Sequence, residues 1–205
     1  MKTLLVLLLL PLTALADDAE ETLHRGAIAI GPAWTHAIRD NYSAGFAPNG
    51  FATPSKDRLS LDLLGYWTTP TNWQLGLGVT TVSFQQTVGA YSAEYADNII
   101  GIYAAKNFSP TAEYDLTAGA LVGGTQAELT VFSGNRNGRL RESAALVAPS
   151  VGFASRLSEH TKAGLRFTYY VPFGESTQLS GQDLGTSKIS IRGFSVALDL
   201  IFGRF

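Results

Sequence analysis

The chain has 205 residues, no cysteine, and 15 basic against 17 acidic side chains, for a formal charge of −2. Such an even balance without a lysine-rich block argues against a nucleic-acid partner, and the missing thiols exclude disulfides, a lipid anchor on an N-terminal cysteine and thiolate metal ligation. With 21 glycines, 11% aromatic residues and only 16% charged ones, the composition suits short twisted strands better than helices.

Residues 1–16 read MKTLLVLLLLPLTALA: one lysine, an apolar run from Leu4 to Leu10, a proline, then Ala14-Leu15-Ala16. This is the pattern of a secretory signal peptide with a small-x-small cleavage site, and the run is too short to span a bilayer. Cleavage removes one charged residue, Lys2, and takes the formal charge from −2 to −3. Residues 17–25 are polar and acidic without apolar periodicity and read as a short periplasmic arm. No later stretch supplies the ~20 apolar residues of a membrane helix, so contact with a bilayer requires a closed sheet.

Eight alternating segments follow. The first, 26–37, sets Ile28, Ile30 and Trp34 against Ala27, Ala29, Gly31 and Ala33, and a loop rich in Gly, Pro and Asn occupies 39–57. The second, 58–68, sets Leu59, Leu61, Leu63 and Trp67 against Ser60, Asp62, Leu64 and Tyr66. A tight turn leads to the third, 73–84, with Trp73, Leu75, Leu77 and Val79 in one phase, and a looser polar link spans 89–94. The fourth, 97–108, has Ile100, Ile102, Ala104 and Phe108 in phase, and a short turn follows.

The fifth, 114–131, sets Tyr114, Leu116, Ala118, Ala120 and Val122 against Asp115, Thr117, Gly119 and Leu121; 133–138 (SGNRNG) reads as a loop. The sixth, 142–157, carries Val147, Val151, Phe153 and Leu157 in phase, and another tight turn leads to the seventh, 162–173. There Ala163, Leu165, Phe167, Tyr169, Val171 and Phe173 face Lys162, Gly164, Arg166, Thr168 and Tyr170. After a polar loop over 174–187, the eighth segment, 188–205, ends GFSVALDLIFGRF, with large apolar residues at every second position from Phe194 to Phe202. Only a β-strand has this period of two.

The links alternate long and short, the rhythm of an up-and-down barrel with short periplasmic turns and longer outer loops. Trp67, Trp73, Phe108, Tyr114 and Phe205 all lie beside a short turn or at the terminus, which folds them into one ring at the periplasmic interface. The sequence therefore predicts an all-β fold, an eight-stranded antiparallel transmembrane β-barrel over 26–205. Eight strands enclose a lumen that side chains fill.

On these residues the whole mature chain resembles the small eight-stranded outer-membrane barrels, of which OmpX and the membrane half of OmpA are familiar members. The terminal Gly203-Arg204-Phe205 is similar to that group's aromatic-Arg-Phe ending, departing from it at Gly203 and in the phase of Phe205. The resemblance implies an outer-membrane location, lipid and lipopolysaccharide as neighbours, and a C-terminal Phe205 read by the outer-membrane assembly machinery; a monomer is expected.

The inward phase holds Asp62, Asp115, Arg156, Lys162, Arg166 and Asp199. Counted from the periplasmic ends, Asp62, Arg166 and Asp199 come out level, and closure brings their strands together, so Arg166 is expected to pair with Asp199 and with Asp62. An interior ion-pair network that plugs the lumen and a gate that rearranges to conduct are both open. Near the outer rim, Arg39, Arg58, Arg136, Arg139, Arg141 and Arg192 are candidates to hold lipopolysaccharide phosphates, against an ordinary solvated rim in which Asp40, Asp57, Glu142, Glu175 and Asp183 are interspersed.

Barrels of the PagP and PagL kinds modify lipid A with histidine, serine and an acid. Of the three histidines here only His36 falls on the outer side, without either local motif. Neither metal ligands at a recognisable spacing nor a phosphate-binding glycine loop is present, so no cofactor is expected. The reading is a non-enzymatic outer-membrane barrel with a filled lumen that supports membrane integrity or surface interaction; a lipid A-modifying enzyme and a narrow pore are the alternatives.

Overall fold

The computed structural model describes residues 25–38, 56–108, 113–133, 136–181 and 189–203. The predicted signal peptide, Arg39 and Phe205 lie outside the described residues, as does all of the arm but Arg25. Eight strands follow one another: β1 Arg25–Ala37, β2 Asp57–Thr68, β3 Trp73–Val88, β4 Tyr91–Asn107, β5 Tyr114–Ser133, β6 Arg136–Ser158, β7 Thr161–Gly181 and β8 Gly193–Gly203. Each pairs antiparallel with the next and β8 pairs with β1, closing the barrel.

Closure satisfies both edges of every strand where no water is available to do so, and side-chain alternation then divides the wall. Leu61, Leu77, Ile102, Val122, Val151, Phe167 and Leu198 point outward and are exposed, while Asp62, Thr80, Tyr103, Thr168 and Asp199 are buried inside. On β5 the outward apolar run from Tyr114 to Val122 covers about 27 Å of strand, or about 20 Å of height at a ~40° tilt, close to the ~25 Å apolar band of such barrels. Trp73, Phe108 and Tyr114 are exposed at its lower edge; Trp34, Phe173 and Phe194 mark the upper.

Above Val79, Ile100 and Val122 the outward face turns polar while the ladder continues. Thr81 donates to Asn98 at 3.1 Å and Gln85 to Glu94 at 3.2 Å on this face. β3 and β4 pair up to Val88 and Tyr91, and β5 and β6 up to Ser133 and Arg136. Two predicted loops, 89–94 and 133–138, are therefore mostly strand, and the wall from β3 to β7 stands taller than that of β8, β1 and β2. Gly89, at φ 59°, makes the first of these tight hairpins in the manner of a type II′ turn. The predicted 174–187 loop is shortened too, since β7 runs to Gly181 past a bulge at Gly174, φ 64°, opposite the Ser143/Ala145 register shift.

Inside, volume is matched strand by strand. Leu121 projects inward, and a Cβ on Gly78 or Gly101 would come within 2.4 or 2.6 Å of its methyl groups. Those two glycines are the space that this leucine occupies.

Candidate functional site

The lumen holds charge at three heights. At mid-barrel, Arg166 Nε donates to Asp199 Oδ2 at 2.9 Å and Nη2 to Asp199 Oδ1 at 3.1 Å, a two-pronged fork. The same Nη2 lies 3.2 Å from Asp62 Oδ2. Asp62 and Asp199 are buried at 1% and 4% exposure. They stand on β2 and β8 with β1 between them, and the residue of β1 at that level is Gly31, paired with Asp62. A Cβ there would sit 3.0 Å from Asp199 Oδ1 and 2.3 Å from the Leu198 carbonyl oxygen. The bare glycine lets the two carboxylates converge on one guanidinium across an intervening strand, a role that sequence pattern does not reveal.

Nearer the periplasm, Lys162 pairs with Asp115. Tyr66 and Tyr103, their rings 6.4 Å apart, stand near the mid-barrel cluster, and two cavities of about 30 and 20 Å³ flank Arg166, each with room for about one water molecule. Arg156, registered opposite Lys162, lies exposed at the periplasmic rim, where its Nε donates to the Ser158 carbonyl at 3.1 Å.

At the outer mouth, residues 189–191 cross the lumen without joining a strand. The amides of Ile189 and Ser190 donate to the two oxygens of Glu142, each at 2.9 Å, and the Ile191 amide to Asp97 Oδ2 at 2.9 Å. Tyr95 Oη donates to the Ile189 carbonyl at 3.0 Å, and Thr125 donates to Asp97. Glu142 and Asp97 are fully buried, and Ile189 and Ile191 pack with Val82, Leu140, Leu146 and Tyr170. Glu142, counted above among the rim acids, thus faces inward. Its even-numbered phase, shared with Ala144, Leu146 and Ala148, was the signal.

The rim arginines divide. Arg58 is a correction: it is 6% exposed and points into the barrel, its guanidinium 4.9 Å from the Phe84 ring centre and 5.0 Å from that of Tyr95. It shares the inward phase of Ser60 and Asp62, and the two aromatic faces offer the cation a seat. Arg139 and Arg141 face outward above the apolar band and both grip Glu128, at 2.6 and 2.8 Å. The bonds from Arg139 and Arg141 hold the Glu128 carboxyl below its ordinary pKa, against a smaller opposing effect of burial. Arg192 is exposed at the upper end of the wall. Arg136 is described in its backbone alone.

His36 sits at the outer edge of the apolar band, its Nδ1 2.7 Å from Asp57 Oδ1 and its ring 5.3 Å from that of Phe194 and 5.9 Å from that of Trp34. Among the described residues no group of three or more metal-ligating side chains forms.

A closed barrel with charged groups inside and an oily girdle outside is built to sit in lipid, and known structures share the fold. Ail, the attachment invasion locus protein of Yersinia pestis, superposes with a TM-score of 0.57 at 12% identity, over 89% of this chain and 99% of that one. The fold is that of the small outer-membrane barrels. A major outer membrane protein from Thermus thermophilus gives a TM-score of 0.58 at 8% identity over 86% of this chain and 98% of the other. OprG, the outer membrane protein from Pseudomonas aeruginosa, gives 0.54 at 10% identity over 89% and 97%. No family model matches the sequence, and no curated protein sequence does.

Proposed function

We propose that this outer-membrane barrel is non-enzymatic, has a closed lumen, and works at its outer surface, supporting the outer leaflet and presenting its tall outer wall to ligands. What supports this reading is the placing of bonded groups in the lumen at two heights, the strap over Glu142 and Asp97 and Arg166 with its two carboxylates. The cavities beside Arg166 are small, about 30 and 20 Å³, on the scale of single water molecules. Purified barrel in planar bilayers should give no resolvable current steps; regular steps would establish the pore instead. Unchanged lipid A mass spectra with and without the protein are expected, and a lost or added acyl chain would establish the enzyme.

A second reading is favoured by Arg139 and Arg141. Two guanidiniums share one carboxylate on the outward face just above the apolar band, leaving a net positive charge at headgroup height to meet lipopolysaccharide phosphates. Ail has been crystallised with the heparin analogue sucrose octasulfate, and a polyanion-binding surface is read across from it to this chain. Arg192 joins this set, with Arg39 and Arg136 as its remaining candidates. Replacing Arg139 and Arg141 together by glutamine should lower retention of lipopolysaccharide during purification; equal retention would return the rim to an ordinary solvated surface.

A further inference from the structure

Asp97 and Glu142 take no part in the mid-barrel cluster, and the strap they hold is foreign to the ladder around it. Residues 189–191 are 1%, 5% and 2% exposed, as buried as the wall itself, yet β8 begins only at Gly193. Three amide-to-carboxylate bonds and the bond from Tyr95 tie them to the barrel. The wall does not need them. From β3 to β6 it is paired without interruption up to Val88 and Tyr91, and up to Ser133 and Arg136, so that ladder does not depend on the strap.

We propose that residues 189–191 are a latch-held plug of the outer mouth. It leaves as a unit when the Glu142 and Asp97 bonds break, and uncovers a blind cup open to the outside. The cup is walled by Val82, Leu140 and Leu146, and floored by Tyr170, above the cluster in which Arg166 closes the lumen. The latch is built for release as a set: both carboxylates project from the rigid wall, on β4 and β6, and every N–H they hold in the strap is a backbone one. Withdrawing the strap breaks three charge-assisted bonds and strips Ile189 and Ile191 from their apolar neighbours, yet leaves the ladder as it was. The proposal rests on the closed-lumen reading only for the floor of the cup, and the two are tested separately.

The chain has no cysteine, so Ser190→Cys places a single thiol at the plug, where the native Oγ is buried and makes no hydrogen bond. The full barrel in lipid nanodiscs is treated with a membrane-impermeant maleimide, using Thr87→Cys on the exposed rim as reference. The plug thiol should react at least about a hundredfold more slowly than the reference. Adding Glu142→Gln should speed it by about tenfold or more, the factor expected for one lost charge-assisted bond, with heat-modifiable gel migration unchanged. A plug thiol as fast as Thr87→Cys, or a rate indifferent to Glu142→Gln, overturns the latch. If Glu142→Gln does not give the folded band, Asp97→Asn is judged by the same rates. Current steps in the parent chain sink the closed lumen and leave the latch standing; steps only in the latch variants overturn the blind cup.

Discussion

Replacing Arg166 by glutamine removes the one guanidinium that two buried carboxylates share. Three contacts are lost, at 2.9, 3.1 and 3.2 Å, and Asp62 and Asp199, at 1% and 4% exposure, are left facing each other. Breaking a buried pair by removing one partner costs about 3–5 kcal/mol. Two orphaned acids push toward the upper end, and the protonation of one of them returns part of the loss. The expected destabilisation is therefore about 3–4 kcal/mol, read as a fall in the urea midpoint of the barrel in phospholipid vesicles at neutral pH. Adding Asp199→Asn to Arg166→Gln should recover about half of it, since one carboxylate is then removed; the double-mutant cycle isolates the pair. Arg166→Gln with the parent's midpoint, or a double variant no better than the single one, would refute the claim that this cluster is a mutually dependent unit.

Gly31→Ala should destabilise by about 1–3 kcal/mol, because its methyl group meets the Leu198 carbonyl at 2.3 Å and overpacks the seam where β1 meets β8; a neutral result in the same urea assay argues against the close approach. Leu198→Arg, on the outward face of β8, should cost about 2–4 kcal/mol if that face meets acyl chains, whereas Thr81→Arg, above the apolar band, should cost under about 1 kcal/mol. Equal costs would misplace the membrane. Glu128 should titrate below the ordinary glutamate value of about 4.3 by carboxyl carbon-13 shifts. Its depressed folded pKa means that its contribution is present above the unfolded value and lost as pH falls through the folded one. Arg139→Gln should bring the titration back up, and no movement would mean that the bond from Arg139 does not hold the carboxylate.

How much of this was legible in the sequence depends on what each residue faces. In the bilayer one side of a strand meets acyl chains and the other the lumen, so apolar and polar residues alternate, and that contrast placed Asp62, Arg166 and Asp199 inward and level. Above the band the contrast inverts, with polar residues outward and Val82, Ala93, Tyr95, Leu129 and Leu140 buried inward. Glu94 and Gln85 face one another across a ladder, yet their neighbourhood reads as a loop because the lipid-facing phase has turned polar and only small or aromatic residues such as Ala93 and Tyr95 mark the inward one. Arg58 shows the opposite error: its position beside a loop suggested the surface, although its own phase with Ser60 and Asp62 pointed to the lumen, where Phe84 and Tyr95 receive it.

The remaining features lack a pattern for a physical reason. Gly31 acts through the side chain it does not have, and glycine on a strand is equally compatible with a bulge, a bend or a close approach. The strap at 189–191 makes its bonds through backbone amides, which every residue but proline possesses. Its side of the latch is therefore invisible in composition, and only the wall's side, two acids in the inward phase, could have been noticed. An inward acid with no basic residue level with it on a neighbouring strand needs N–H donors from elsewhere, and in an eight-stranded barrel the chain segments free to supply them are the connections between strands. For Asp97 and Glu142 the supplier is the returning segment 189–191; Asp199 needs none, because Arg166 stands on the neighbouring β7 and reaches on to Asp62 across the lumen.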